Sequence, residues 1–121
     1  MNSQNLKLKD RAYQYSVKII EFLDILPKDT STQVILKQLL RSATSIGANI
    51  IEAQASSSKR DFTNFFSYSL KSANESLYWL SLLKDARKVG NPQLGYLLVE
   101  TQELANILAA SILTLKGKNK F

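Results

Sequence analysis

The chain has 121 residues, 45% of them hydrophobic, and a net charge of +6 with neither cysteine nor histidine. That is one domain by size, with apolar content enough for a core. It excludes disulfides, thiolate or imidazole metal sites, and Ser-His-Asp or Cys-His catalysis. No N-terminal apolar run resembles a signal peptide, and no stretch approaches the ~20 apolar residues that span a bilayer. The expectation is a cytoplasmic protein with no membrane partner and no cofactor, whose charge suits a polyanion.

Four helical segments follow in order. The first is expected over about 6–26, where Leu8, Ala12, Tyr15, Ile19, Leu23 and Leu26 recur at steps of three and four. Pro27 ends it, because the residue before a proline avoids helical geometry. Thr30, with Gln33 three residues on, reads as a capping box for a second helix over 31–55. Ser58 is the expected N-cap of a third helix over 59–89, with Asp61 in its first turn and Gly90 just beyond its end. Asn91 and Pro92 open a fourth over 92–115, and 116–121 is a basic tail. Short connections make successive helices antiparallel neighbours. The predicted fold is therefore all-α, an up-down-up-down four-helix bundle in a single domain.

Several helices carry more apolar residues than one stripe. Tyr13, Val17, Ile20 and Phe22 do so in the first helix, Phe65, Tyr68, Tyr78, Trp79 and Leu82 in the third, and Tyr96, Val99, Ile107 and Leu113 in the fourth. Helices apolar on a second side usually have a second partner, so a homo-oligomer is expected.

The second helix contains an unusual run, "RSATSIGANIIEA", residues 41–53. Arg41, Ser45, Asn49 and Glu52 fall on one face, beside the apolar stripe of Ala43, Ile46 and Ile50. Lys71 and Glu75 of the third helix offer matching groups. The bland reading is a structural polar seam that fixes how helices pack. The sharper one is an acid–base or metal pocket on Arg41, Glu52 and Glu75. Too few convergent ligands and no Glu-x-x-His pair favour the structural seam. Gly47 costs a helix ~1 kcal/mol relative to alanine, which points to close approach of another helix.

The same residues carry a resemblance. "LLRSATSIGANIIEAQASSSKRDF" followed by "LKSANESLYWLSLL" resembles the four helix bundle proteins of the 23S rRNA intervening-sequence family, the S23-like proteins. The shared positions are Arg41, Ser42, Ser45, Ile46, Asn49, Ile50, Glu52, Asp61, Phe62, Glu75, Tyr78, Trp79 and Leu80. Ala53 stands where many members have glycine, and Phe65 and Ser72 stand where relatives often have lysine and glutamate. The resemblance implies an antiparallel bundle assembled as a cyclic oligomer, commonly a pentamer, with no established activity. The related accessory variability determinants of diversity-generating retroelements form pentameric barrels that bind nucleic acid and a reverse transcriptase. RNA or DNA, and a reverse transcriptase, are thus the implied partners.

In an up-down bundle, one pole collects Lys7, Lys9, Arg11, Lys59, Arg60, Lys116, Lys118 and Lys120 against Asp10, Glu52 and Asp61. Those residues carry +5 of the net +6. Repeated around a ring, they would form a basic rim suited to phosphate backbones. Phe62, Tyr13 and Phe121 are the only aromatic residues near it, so sequence-specific reading is not expected. The expected function is a non-enzymatic, nucleic-acid-binding oligomer. The alternative is a structural or protein-interaction oligomer, with the lysines serving helix dipole and solubility.

Overall fold

A computed structural model describes residues 7–87 and 89–117. Four helices follow one another: α1 (Leu8–Asp24), α2 (Thr30–Ala55), α3 (Lys59–Asp85) and α4 (Pro92–Leu115). Each packs on its chain neighbours and α1 closes the circuit against α4, which is the up-down-up-down bundle expected of short connections. Leu6, the expected first residue of α1, and the tail from Lys118 lie outside the described residues.

Local chemistry explains most of the boundaries. Ser58 caps α3 by accepting the Asp61 N–H at 3.1 Å, and Asn91 caps α4 by accepting the Gln93 N–H at 2.7 Å. Pro92 follows at the first helical position, where its missing N–H costs nothing. At the end of α1 the last two N–H groups make only i→i−3 bonds, Ile25 to Phe22 and Leu26 to Leu23, both 3.3 Å. The Lys28 ammonium then donates to the Leu23 and Leu26 carbonyls at 2.8 and 2.9 Å, satisfying acceptors that the chain's departure leaves open.

Three boundaries differ from the sequence-based expectation. The N-cap of α2 is Asp29 rather than Thr30, with the Gln33 N–H on the Asp29 carbonyl at 2.9 Å. Asp24 ends α1, two residues before Leu26. Asp85 ends α3 rather than Val89: the Arg87 N–H reaches the Leu82 carbonyl and the Val89 N–H the Leu83 carbonyl, wider steps that unwind the last turn.

The core is drawn from all four helices. Tyr15, Ile19 and Phe22 of α1 meet Leu39, Ile46 and Ile50 of α2, Leu80 and Leu83 of α3, and Leu97, Leu104 and Leu108 of α4, all essentially without solvent contact. Phe22, which looked surplus to the α1 stripe, belongs to this core. Gly47 faces α1, but a Cβ there would meet that of Ala12 at 3.5 Å, an ordinary contact, so the packing does not require a glycine.

Eleven large hydrophobic side chains among the described residues stay at least 40% exposed, from Tyr13 and Ile20 on α1 through Val34, Leu40 and Ile51 on α2 to Tyr96, Val99 and Leu113 on α4. No helix among the described residues is long and apolar enough to cross a membrane.

Candidate functional site

Two polar systems and one charged pole are candidates. The polar seam runs along the α2–α3 junction at the surface. Arg41 donates through Nη2 to Glu75 Oε2 at 2.7 Å and to Gln38 Oε1 at 3.2 Å. Trp79, one turn beyond Glu75, donates its indole N–H to the same Glu75 oxygen at 2.9 Å. Glu75 therefore ties α2 to α3 and fixes the Trp79 ring. The rest of the expected seam does not join it. Ser45 donates to the Arg41 carbonyl and Asn49 to the Ser45 carbonyl, both within α2. Glu52 and Lys71 are exposed, without an ion pair among the described residues. Arg41, Glu52 and Glu75 thus do not converge, and no group of three potential metal ligands occurs among the described residues.

The second polar system lies in the core. Arg11 is 7% exposed and grips Glu100, itself 5% exposed, with Nε to Oε2 at 2.7 Å and Nη2 to Oε1 at 2.8 Å. Glu103 takes a further bond from Nη2. Such a two-pronged pairing suits the planar guanidinium. It holds the Arg11 pKa above its ordinary value, chiefly through the Glu100 bond. Below it, Tyr15 bonds Thr101 at 2.5 Å, while Ser76 donates to the Ser72 carbonyl at 2.8 Å and pairs with Ser42 at 2.9 Å. Thr101 spends its own hydrogen on the Leu97 carbonyl, so Tyr15 is the donor to Thr101. Buried hydroxyls thereby pair α1 with α4 and α2 with α3. Burial pushes the Tyr15 phenol above its ordinary pKa.

This changes the basic pole. Arg11 was expected to face solvent with the lysines. Instead it points inward, with two carboxylates on it, and is closed to a phosphate. Sequence position alone placed it at the pole. Its helical phase, next to Ala12 and four residues before Tyr15, places it on the buried face. A matching signal lay in α4, where Glu100 interrupts the stripe of Leu97, Thr101 and Leu104. Lys7, Lys9, Lys59, Arg60 and Lys116 are all exposed and enter no ion pair among the described residues. Lys118 and Lys120 lie outside the described residues.

The end of α2, the start of α3 and the end of α4 meet at this pole around a hollow of about 370 Å³, lined by Gln54, Ser57, Ser58, Lys59, Phe62 and Leu115 among others. Sequence reasoning placed Lys59 and Phe62 here but not the hollow, which forms only when Leu115 is brought beside the α2–α3 turn.

The family model of the 23S rRNA-intervening sequence protein matches residues 4–110 of the chain. The chain belongs to that family. It is also similar to the crystal structure, at 1.70 Å resolution, of a protein with unknown function from the S23 ribosomal protein family of Bacteroides thetaiotaomicron VPI-5482. The two share 36% identity over 88% of this chain and 98% of the other, with a TM-score of 0.80. No curated protein matches. Membership of the family agrees with the four-helix fold.

Proposed function

We propose that this 23S rRNA-intervening sequence protein is a non-enzymatic homo-oligomer that binds nucleic acid through its basic pole. The observation that carries the reading is the set of exposed cations Lys7, Lys9, Lys59, Arg60 and Lys116, without ion pairs among the described residues, on the ends of helices that meet at one end of the bundle. Cations on a folded scaffold gain from releasing the counterions of a phosphate backbone, without needing to read bases. The loss of Arg11 from the set leaves the site lysine-rich, which suits backbone contact more than bidentate base recognition. Oligomerisation, as the pentamer that the family resemblance implies, would multiply the rim. The rRNA-intervening or retroelement setting, a reverse transcriptase as protein partner and a cytoplasmic location complete the proposal.

The test is binding of labelled RNA and DNA across a salt series, with mass by light scattering in the same buffers. The expected result is micromolar binding that weakens steeply with salt, and a mass well above the 13.6 kDa of one chain. Replacing Lys59 and Arg60 together by alanine should flatten the slope of log K against log salt by about two, near one for each phosphate no longer neutralised. Affinity independent of salt, or unchanged in that double variant, would sink the basic-pole reading.

A second reading rests on a different observation. The eleven exposed hydrophobic side chains favour an oligomer that serves protein contacts alone. An oligomer that binds no nucleic acid at low salt would select it.

A further inference from the structure

We infer that the hollow at the basic pole receives a single unstacked nucleobase, with Phe62 as its stacking platform; this rests on the nucleic-acid reading above and names the form of nucleic acid it prefers. Three observations meet there. The first is shape. About 370 Å³ lies at the lower end of ligand pockets, and the hollow opens to solvent instead of closing over its contents. An open mouth suits a base splayed from a strand, still attached to its backbone, better than a small metabolite that must be enclosed.

The second is chemistry. Phe62 is half-buried, and its ring stacks on Phe66 with centroids 4.7 Å apart and planes 27° from parallel. That contact fixes the ring from the core side, so a base meeting it finds a surface already ordered. Leu115 supplies apolar wall opposite the α2–α3 turn. A fixed aromatic face is sequence-tolerant, because every base has a π-face.

The third is the state of the polar lining. Ser56 and Ser58 are committed to the backbone, Ser56 as donor to the Ala53 carbonyl and Ser58 as cap of α3. Gln54, Ser57 and Lys59 are exposed and make no side-chain hydrogen bond to any described residue. They offer an amide, a hydroxyl and an ammonium to a base edge, a sugar and a phosphate. Arg60 and Lys116 flank the hollow in sequence and extend its charge along the strand. Asp61, in the same turn, is not part of the lining. A duplex keeps its bases stacked and paired, so it can use the lysines but not the hollow.

The experiment measures binding of a labelled single strand of about 12 nucleotides and of a duplex of the same length to the full chain, with wild type, Phe62→Leu and Phe62→Trp compared and each variant's fold checked by circular dichroism. Wild type should bind the single strand more tightly than the duplex. Phe62→Leu should weaken the single strand by roughly five- to a hundred-fold while leaving the duplex and the salt slope unchanged. Phe62→Trp should restore single-strand affinity. Equal affinity of Phe62→Leu and wild type for the single strand overturns the inference and leaves the basic-pole reading standing. An equal loss on both strands by a folded Phe62→Leu chain also overturns it. No binding of either strand by wild type at low salt overturns both.

Discussion

Arg11 shows how a single side chain can exchange one role for another with a change of helical phase. As a surface cation it would be worth little to stability. Buried and gripped by Glu100, it cannot be removed without stranding a carboxylate in the core. Arg11→Ala is expected to cost about 3–5 kcal/mol in urea unfolding, whereas Lys59→Ala stays within about 0.5 kcal/mol. Tyr15 makes a related prediction for pH. Its phenol pKa lies above the ordinary 10.0 in the folded chain, mainly from burial. The folded state therefore holds the proton more tightly than the unfolded one. That contribution is fully present below about pH 10, and it is lost as pH rises above it towards the folded-state value. Tyr15→Phe should show a shallower fall of stability on the alkaline side, at a cost near neutrality of about 1 kcal/mol for giving up the hydrogen bond to Thr101. An alkaline limb identical in the two proteins would reject this assignment.

At the scale of elements, the four helices, their order and most of their inward stripes were legible in the periodicity of the chain, because each stripe is continuous and the breaks at Pro27, Ser58 and Asn91 have local causes. The ends of α1 and α3 were less legible. Both are decided by carbonyls that find an alternative donor, in Lys28 and in the looser turns up to Val89, and such donors are placed by the fold. The α2–α3 seam was half legible. Spacing predicted Arg41 and Glu75 on facing helices, but could not say that Ser45 and Asn49 would bond back within α2. The Arg41–Glu75 pair is substantially exposed, so Glu75→Ala should cost under about 1 kcal/mol. It should nevertheless shift Trp79 emission to the red, since the indole loses its partner. Gly47 faces Ala12 with room for a methyl group at ordinary contact distance. Gly47→Ala should therefore be neutral or stabilise by up to ~1 kcal/mol through helix propensity. A leucine at the same place should push α1 outward and destabilise.

At the scale of the whole molecule, Lys7, Lys9, Lys59, Arg60 and Lys116 are exposed at one pole, Lys37, Lys71 and Lys84 are exposed elsewhere, and the exposed hydrophobic side chains spread along the helix sides. A ring built through the sides would leave the pole open, so assembly and nucleic-acid binding need not compete. Ile51→Asp and Val99→Asp, on different helices, should lower the mass seen by light scattering without abolishing the helical signal. A mass unchanged by both would count against an oligomer built through these sides. The candidate site was legible only in part: Lys59, Arg60 and Phe62 are near one another in the chain, but the hollow needs Leu115, which the chain supplies only from the far end of α4.

The sole tryptophan of the chain stands on the seam between α2 and α3, the most extensively packed pair, while α1 meets α4 across the thinnest junction of the bundle. Its emission therefore watches the more extensively packed half of the molecule. If α1 peels away first during denaturation, helical ellipticity will begin to fall while the indole still reports an intact protein, and the gap between the two curves measures how firmly Arg11 and Tyr15 moor the first helix.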